Sequence, residues 1–164
     1  MTPTRLSLAC LVAMCAAAGC TPAHGGSGTG AILAAPTASD TIEARRLFEE
    51  NIDAIHKRDR GRYLATYLQS SALGRNGPGG LQLGYENWSA RRDSTWPDTL
   101  IARNLRVLPL RPGVVYGTYC YTVTQNDTTS SGVSERIFVK TPDGWRIAVT
   151  TAFGLPAGAP AECK

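Results

Sequence analysis

The chain has 164 residues, of which 43% are hydrophobic and 18% charged, with 17 Lys+Arg against 13 Asp+Glu and a formal net charge of +4. This length leaves no room for two ordinary domains. The dispersed charge argues against a nucleic-acid surface, which needs a sustained basic stripe with interleaved aromatics. The small basic groups, Arg45-Arg46, Lys57-Arg58-Arg60-Arg62 and Arg91-Arg92, read instead as solvated faces.

Residues 1–19 carry one charge, Arg5, followed by an apolar run from Leu6 to Ala18 broken only by Ser7. A basic start and an apolar stretch too short to cross a bilayer comfortably predict an export signal. The ending Ala17-Ala18-Gly19-Cys20 resembles the lipobox of bacterial lipoproteins, whose cysteine becomes the lipidated first residue; Ala17 stands where leucine is usual. The resemblance implies a membrane anchor at Cys20. The alternative is an ordinary secreted protein cut elsewhere, after Ala18 or near Ala23. Residues 20–38 are rich in Gly, Pro, Ser and Thr, carry no charge and show no period, as expected of a flexible spacer. The glycines at 25–30 lack both a preceding strand and a following Lys-Ser/Thr, so they do not make a phosphate loop.

The globular region is expected over 39–154, with a Pro/Gly tail over 155–164. Asp40 and Glu43 fit a capping box. Ile42, Ala44, Leu47, Phe48, Ile52 and Ile55 then recur at helical spacing to about Lys57. Asp59 is the expected N-cap of a second helix through Gln69. The glycine-rich segment after it predicts a loop, followed by a third short helix over 85–92. Strands are expected over 99–108, 114–124, 133–140 and 145–153, with turns at Asn126-Asp127 and Pro142-Asp143-Gly144. Helices first and a strand meander afterwards predict an α+β fold, with N-terminal helices packed on a curved antiparallel sheet.

That order, with Ile42–Tyr67, Gly84–Trp88 and above all Phe138-Val139-Lys140-Thr141-Pro142-Asp143-Gly144-Trp145-Arg146-Ile147, resembles the nuclear transport factor 2-like superfamily in its SnoaL-like and short bacterial branches. The resemblance covers about Thr41 to Phe153. It implies a cone: helices closing one side of a bent sheet around a cavity. The same shell hosts isomerases, dehydratases, cyclases, hydrolases and non-catalytic binding modules, so the activity stays open.

Chemistry in such a cone would need an ionisable group at the cavity. The candidates are Glu86, Asp93, Asp98 and His56, the first three because their segment often lines the cone mouth in that superfamily. Glu135, sharing a strand face with Val133, Ile137 and Val139, is expected on the apolar side. One histidine in the domain argues against a zinc site, and no cofactor motif is present. The aromatic set is the stronger signal: Tyr63, Tyr67, Trp88 and Tyr121 are the expected ligand-pocket residues, with Tyr85, Trp96 and Tyr119 in the same converging segments. Cys120 and Cys163, the thiols that remain outside the signal and the lipobox, are expected to pair in an oxidising compartment; a buried free Cys120 with a frayed tail is the alternative.

The reading that emerges is an exported, membrane-tethered domain of the cell envelope, periplasmic or extracellular, that binds a small apolar or amphipathic molecule. Two rivals stand beside it: a lyase, isomerase or hydrolase using a pocket carboxylate and tyrosine, and a homodimeric interaction module.

Overall fold

The computed structural model describes residues 37–90, 96–155 and 163. The expected signal over 1–19, the lipobox-like Cys20 and Asp93 therefore lie outside the described residues. Helix α1 spans Ala38–His56. Its N-cap is Thr37, three residues before the Asp40 expected from sequence. Thr37 Oγ1 accepts from Asp40 N at 3.4 Å, and Asp40 Oδ2 accepts from Thr37 N at 3.3 Å. Both Thr37/Asp40 and Asp40/Glu43 satisfy the box spacing. The earlier pair wins because Asp40, buried at the third helical position, also accepts from Gly113 N at 3.3 Å and ties the helix start to a strand turn. Glu43 is left to pair with Arg46 on the exposed side.

The buried stripe of α1 comprises Asp40, Ala44, Leu47, Phe48, Asn51, Ile52 and Ala54. Ile42, expected within the stripe, is instead 63% exposed, because it lies off the three-and-four-residue rows. Asp59 does cap α2 (Arg60–Ala65), accepting from Arg62 N at 3.0 Å, but this helix ends four residues short of Gln69. There Tyr67 makes a parallel bridge to Ile147, and Leu68 N donates to Ile147 O at 2.9 Å. Tertiary pairing with the sheet overrides the helical pattern. On the solvent side Asp53 accepts from Arg62 and Lys57, which hold its carboxyl below the usual range.

The glycine-rich segment expected as a loop contains two short strands, β1 (Gly74–Asn76) and β2 (Gln82–Leu83), before α3 (Tyr85–Ser89). Strands β3 (Thr99–Arg111), β4 (Val114–Gln125), β5 (Thr128–Thr141), β6 (Gly144–Thr151) and β7 (Phe153–Gly154) follow. The order is β2-β1-β6-β5-β4-β3, with β7 on β5. Because β1 runs parallel to β6, the sheet is mixed rather than purely antiparallel.

Two irregularities bend it. In β3, Asn104 takes a left-handed φ of 57°, and the register shifts between Arg103 and Arg106. Inward positions change there from even (Leu100, Ala102) to odd (Leu105, Val107). A second shift lies between β5 and β6 at Ile137/Phe138, opposite Ala148. The long hairpin β4–β5 closes through Asn126 and Asp127, both at positive φ, as a tight two-residue turn requires.

The core is formed by Ala44, Leu47, Phe48, Ile52, Tyr63, Leu64, Tyr67, Leu73, Trp88, Val115, Tyr119, Phe138, Trp145 and Ile147, where the helices meet the inner sheet face. A disulfide joins Cys120, on the outer face of β4, to Cys163 in the C-terminal segment, with Cα atoms 5.1 Å apart.

Candidate functional site

Above the core, toward the β3–β4–β5 end of the inner face, the helices and sheet diverge and leave an open cavity of about 340 Å³. Its buried side is made by Tyr63 and Tyr67 from the α2 region, Tyr119 from β4, Ser134 and Arg136 from β5, and Thr150 from β6. More exposed residues surround the opening: Ile55, Arg75, Trp96, Leu100, Tyr121, Val123, Gln125, Thr151 and Ala152. The alternation of each strand sets this lining. Tyr119, Tyr121, Val123 and Gln125 share one face of β4, and Ser134 and Arg136 share one face of β5.

One side chain organises the buried end. Arg136 is 4% exposed, and its Nη1 donates to Tyr67 Oη at 2.9 Å and to Thr150 Oγ1 at 2.7 Å. Its Nη2 donates to Tyr119 Oη at 2.8 Å. Tyr67 in turn donates its hydroxyl hydrogen to Tyr63 Oη at 3.0 Å. The guanidinium carbon also lies 5.5 Å from the Tyr119 ring centroid and 5.9 Å from that of Tyr67, within cation–π range. Burial alone disfavours the charge, but Tyr119, Tyr67 and Tyr63 outweigh it and hold the Arg136 pKa above the ordinary arginine value. Arg136 is therefore a cation. Its Nε is buried and has no hydrogen-bond partner. Burial, followed by the neighbouring Tyr119, raises the Tyr121 pKa, so that phenol stays neutral and acts as a donor or acceptor.

The aromatic residues form a continuous wall. Tyr63 and Tyr67 meet edge-on at 5.1 Å, and Trp96 meets Tyr63 at 5.5 Å. Gly132, opposite Tyr121 in register, lets that ring lie across β5; a β-carbon there would overlap the Tyr121 hydroxyl and the Phe153 carbonyl oxygen.

Of the expected pocket residues, Tyr63, Tyr67 and Tyr121 line the cavity, and Trp88 does not. Its ring, 4% exposed, lies behind Tyr67 at 4.5 Å and borders a separate shallow depression with Arg75, Gln82 and Asn87. Trp88 supports the wall from outside, because α3 packs on the far side of Tyr67.

The candidate acids and bases among the described residues, Glu86, Asp98 and His56, do not line the cavity. Glu86 is exposed on α3, and Asp98 is exposed and accepts from Asn126 N at 2.9 Å, bracing the β4–β5 turn. His56, exposed at the end of α1, donates from Nε2 to Leu100 O at 2.8 Å, linking helix to strand. Asp93 lies outside the described residues. Glu135 faces outward rather than to the apolar interior: it accepts from Tyr116 Oη at 2.6 Å, and Val133, Ile137 and Val139 share its half-exposed outer face. Among the described residues, the cavity lining holds two arginines and no Asp, Glu or His. No group of three or more His, Cys, Asp or Glu among them could hold a metal ion.

Sequence reasoning missed Arg136. The signal was its position: it lies on the same strand face as Ser134 and Phe138, and that face turns inward. The pattern of apolar residues pointed to the opposite face.

No protein-family profile matches the chain, and no curated protein is similar to it at a significant level. Solved structures do resemble it. An NTF-2-like protein of unknown function from Shewanella oneidensis superposes with a TM-score of 0.62 at 18% identity, covering 69% of this chain and 98% of that one. An NTF2-like protein with a cystatin-like fold from Novosphingobium aromaticivorans gives 0.60 at 16% identity, covering 77% and 90%. A nuclear transport factor 2-like superfamily protein from Salmonella enterica gives 0.57 at 18%, covering 76% and 97%. At such identities the likeness concerns the fold: an N-terminal helix on a curved, mixed, open sheet, the nuclear transport factor 2-like or cystatin-like fold.

Proposed function

We propose that this domain binds a small amphipathic molecule in its cone cavity and works tethered at a membrane surface outside the cytoplasm. The observation that carries the binding reading is the cavity itself: about 340 Å³, walled by tyrosines and Trp96, with polar groups gathered at its buried end. Large apolar faces with a few fixed polar contacts suit binding of a small molecule. Catalysis by a pocket carboxylate loses its support among the described residues, because Asp98 and His56 bond elsewhere in the fold and Glu86 is exposed on α3 away from the cavity lining.

The test is titration of the full mature chain with N-phenyl-1-naphthylamine, an uncharged probe whose emission rises in apolar surroundings. Binding should saturate at one probe per chain. Ala152→Trp, at an exposed position on the cavity rim, should weaken it at least tenfold while leaving the circular dichroism unchanged. Equal binding by the variant would place the probe elsewhere and defeat the reading.

The tether rests on the signal-like residues 1–19 and the lipobox-like Cys20. A lipidated cysteine adds about 0.8 kcal/mol of membrane affinity per buried CH₂. Cys20→Ser should move the protein from the membrane fraction to the soluble one after cell breakage. Unchanged membrane retention would rule out anchoring through that residue.

A further inference from the structure

We infer that the molecule taken by this cavity carries a carboxylate, which docks on the Arg136 guanidinium with its apolar body against the tyrosine wall. This rests on the cavity being a binding site, as proposed above, and adds the charge and chemical class of the ligand.

The first argument is that no acidic side chain among the described residues pairs with Arg136. A guanidinium taken out of water is costly unless it is paired and its donors are satisfied. Arg136 is 4% exposed, yet every partner it has is a neutral hydroxyl: Tyr67, Thr150 and Tyr119. The carboxylate nearest in sequence, Glu135, faces the opposite side of the sheet, bonded to Tyr116. Among the described residues, no acidic side chain lines the cavity, whereas a second arginine, Arg75, does. Arg136 is thus a buried cation whose hydrogen-bond partners are all neutral.

The second argument is the set of donors left over. Arginine has five N–H donors, and three are engaged by the hydroxyls. Nε–H has no acceptor. Tyr119 accepts from Arg136 through its oxygen, and its own hydroxyl hydrogen has no acceptor among the described residues. Guanidinium N–H and phenolic O–H on one cavity wall are what a planar carboxylate accepts, and the planar fork of arginine favours it over a point-charge contact. The aromatic lining beside these donors suits an apolar body rather than a free inorganic anion, and the modest volume suits a small acid rather than a whole phospholipid.

The experiment is calorimetric titration of the full mature chain with 4-phenylbutyrate, its neutral amide and acetate at pH 7. The acid should bind at least tenfold more tightly than the amide and than acetate. Arg136→Met should abolish the preference for acid over amide. Tyr119→Phe, which keeps the ring and removes one donor, should weaken the acid several-fold and leave the amide unchanged; it carries the test if Arg136→Met does not fold. Equal affinity for acid and amide would overturn the inference while leaving the cavity a binding site. Acetate binding as tightly as phenylbutyrate would overturn the amphipathic acid in favour of a bare-anion site. If neither acid nor amide binds but N-phenyl-1-naphthylamine does, this inference alone falls; if the naphthylamine also fails to bind, the binding reading falls with it.

Discussion

Replacing Phe138 with alanine is expected to destabilise the domain by about 3–5 kcal/mol, the usual cost of emptying a fully buried aromatic site. Phe138 has no solvent exposure and lies on the inner face of β5. Its ring fills the space over Gly117, where a β-carbon would meet Phe138 Cε2 at 2.8 Å. The glycine cannot extend into the gap, and Val115 and Ile147, both fully buried, are held by the sheet ladder. The site therefore cannot collapse cheaply. Urea unfolding should show a lower midpoint with an unchanged m-value. A loss below about 1 kcal/mol would mean that the β5 inner face does not meet the helices as described.

Opening the Cys120–Cys163 disulfide should have an effect of similar size by another route. The two cysteines are 43 residues apart, and closing a loop of that length removes about 4 kcal/mol of chain entropy from the unfolded state. Cys163→Ala, or reduction of the wild type, should lower the denaturation midpoint in step with that figure. The cavity should remain, because Cys120 is on the outer face of β4, whereas Tyr119 and Tyr121 face inward. Stability that was unaltered by reducing agent, with free thiols confirmed by mass, would remove the disulfide from the account. Loss of ligand binding at a denaturant concentration where the fold persists would show that the bridge shapes the site as well.

These two positions illustrate what could be read from sequence. The spacing of Ala44, Leu47, Phe48 and Ile52 identifies α1 because a helix facing a core repeats its apolar contacts every three or four residues, and α1 does face one. The turn at Asp143-Gly144 and the buried Trp145 are local too. β1 was illegible because nothing in Gly74, Arg75 and Asn76 favours a strand; its pairing with β6 across more than seventy residues creates one. The early end of α2 has the same cause. The error over β5 is more instructive. Apolar residues normally mark the inner face, and Val133, Ile137 and Val139 do mark a face, but the outer one. The inner face carries Ser134 and Arg136 because it borders a cavity there, so the hydrophobic pattern is inverted where the site lies. His56, Asp98 and Glu86 misled for a related reason: ionisable groups were scarce enough for each to look meaningful, and each is at the surface.

That inversion makes the polarity of the cavity a matter of register. Glu135 and Arg136 are neighbours of opposite charge on a strand whose side chains alternate between faces. A one-residue slip of β5 against its neighbours would turn the carboxylate inward and the guanidinium outward, but it would also turn the fully buried Phe138 out of the core. Exchanging the two residues in place, Glu135→Arg with Arg136→Glu, would invert the charge at the buried end of the cavity and leave the rest of the face unchanged. The sign of the charge at the buried end is thus set by the order of two adjacent residues, not by the construction of the walls around them.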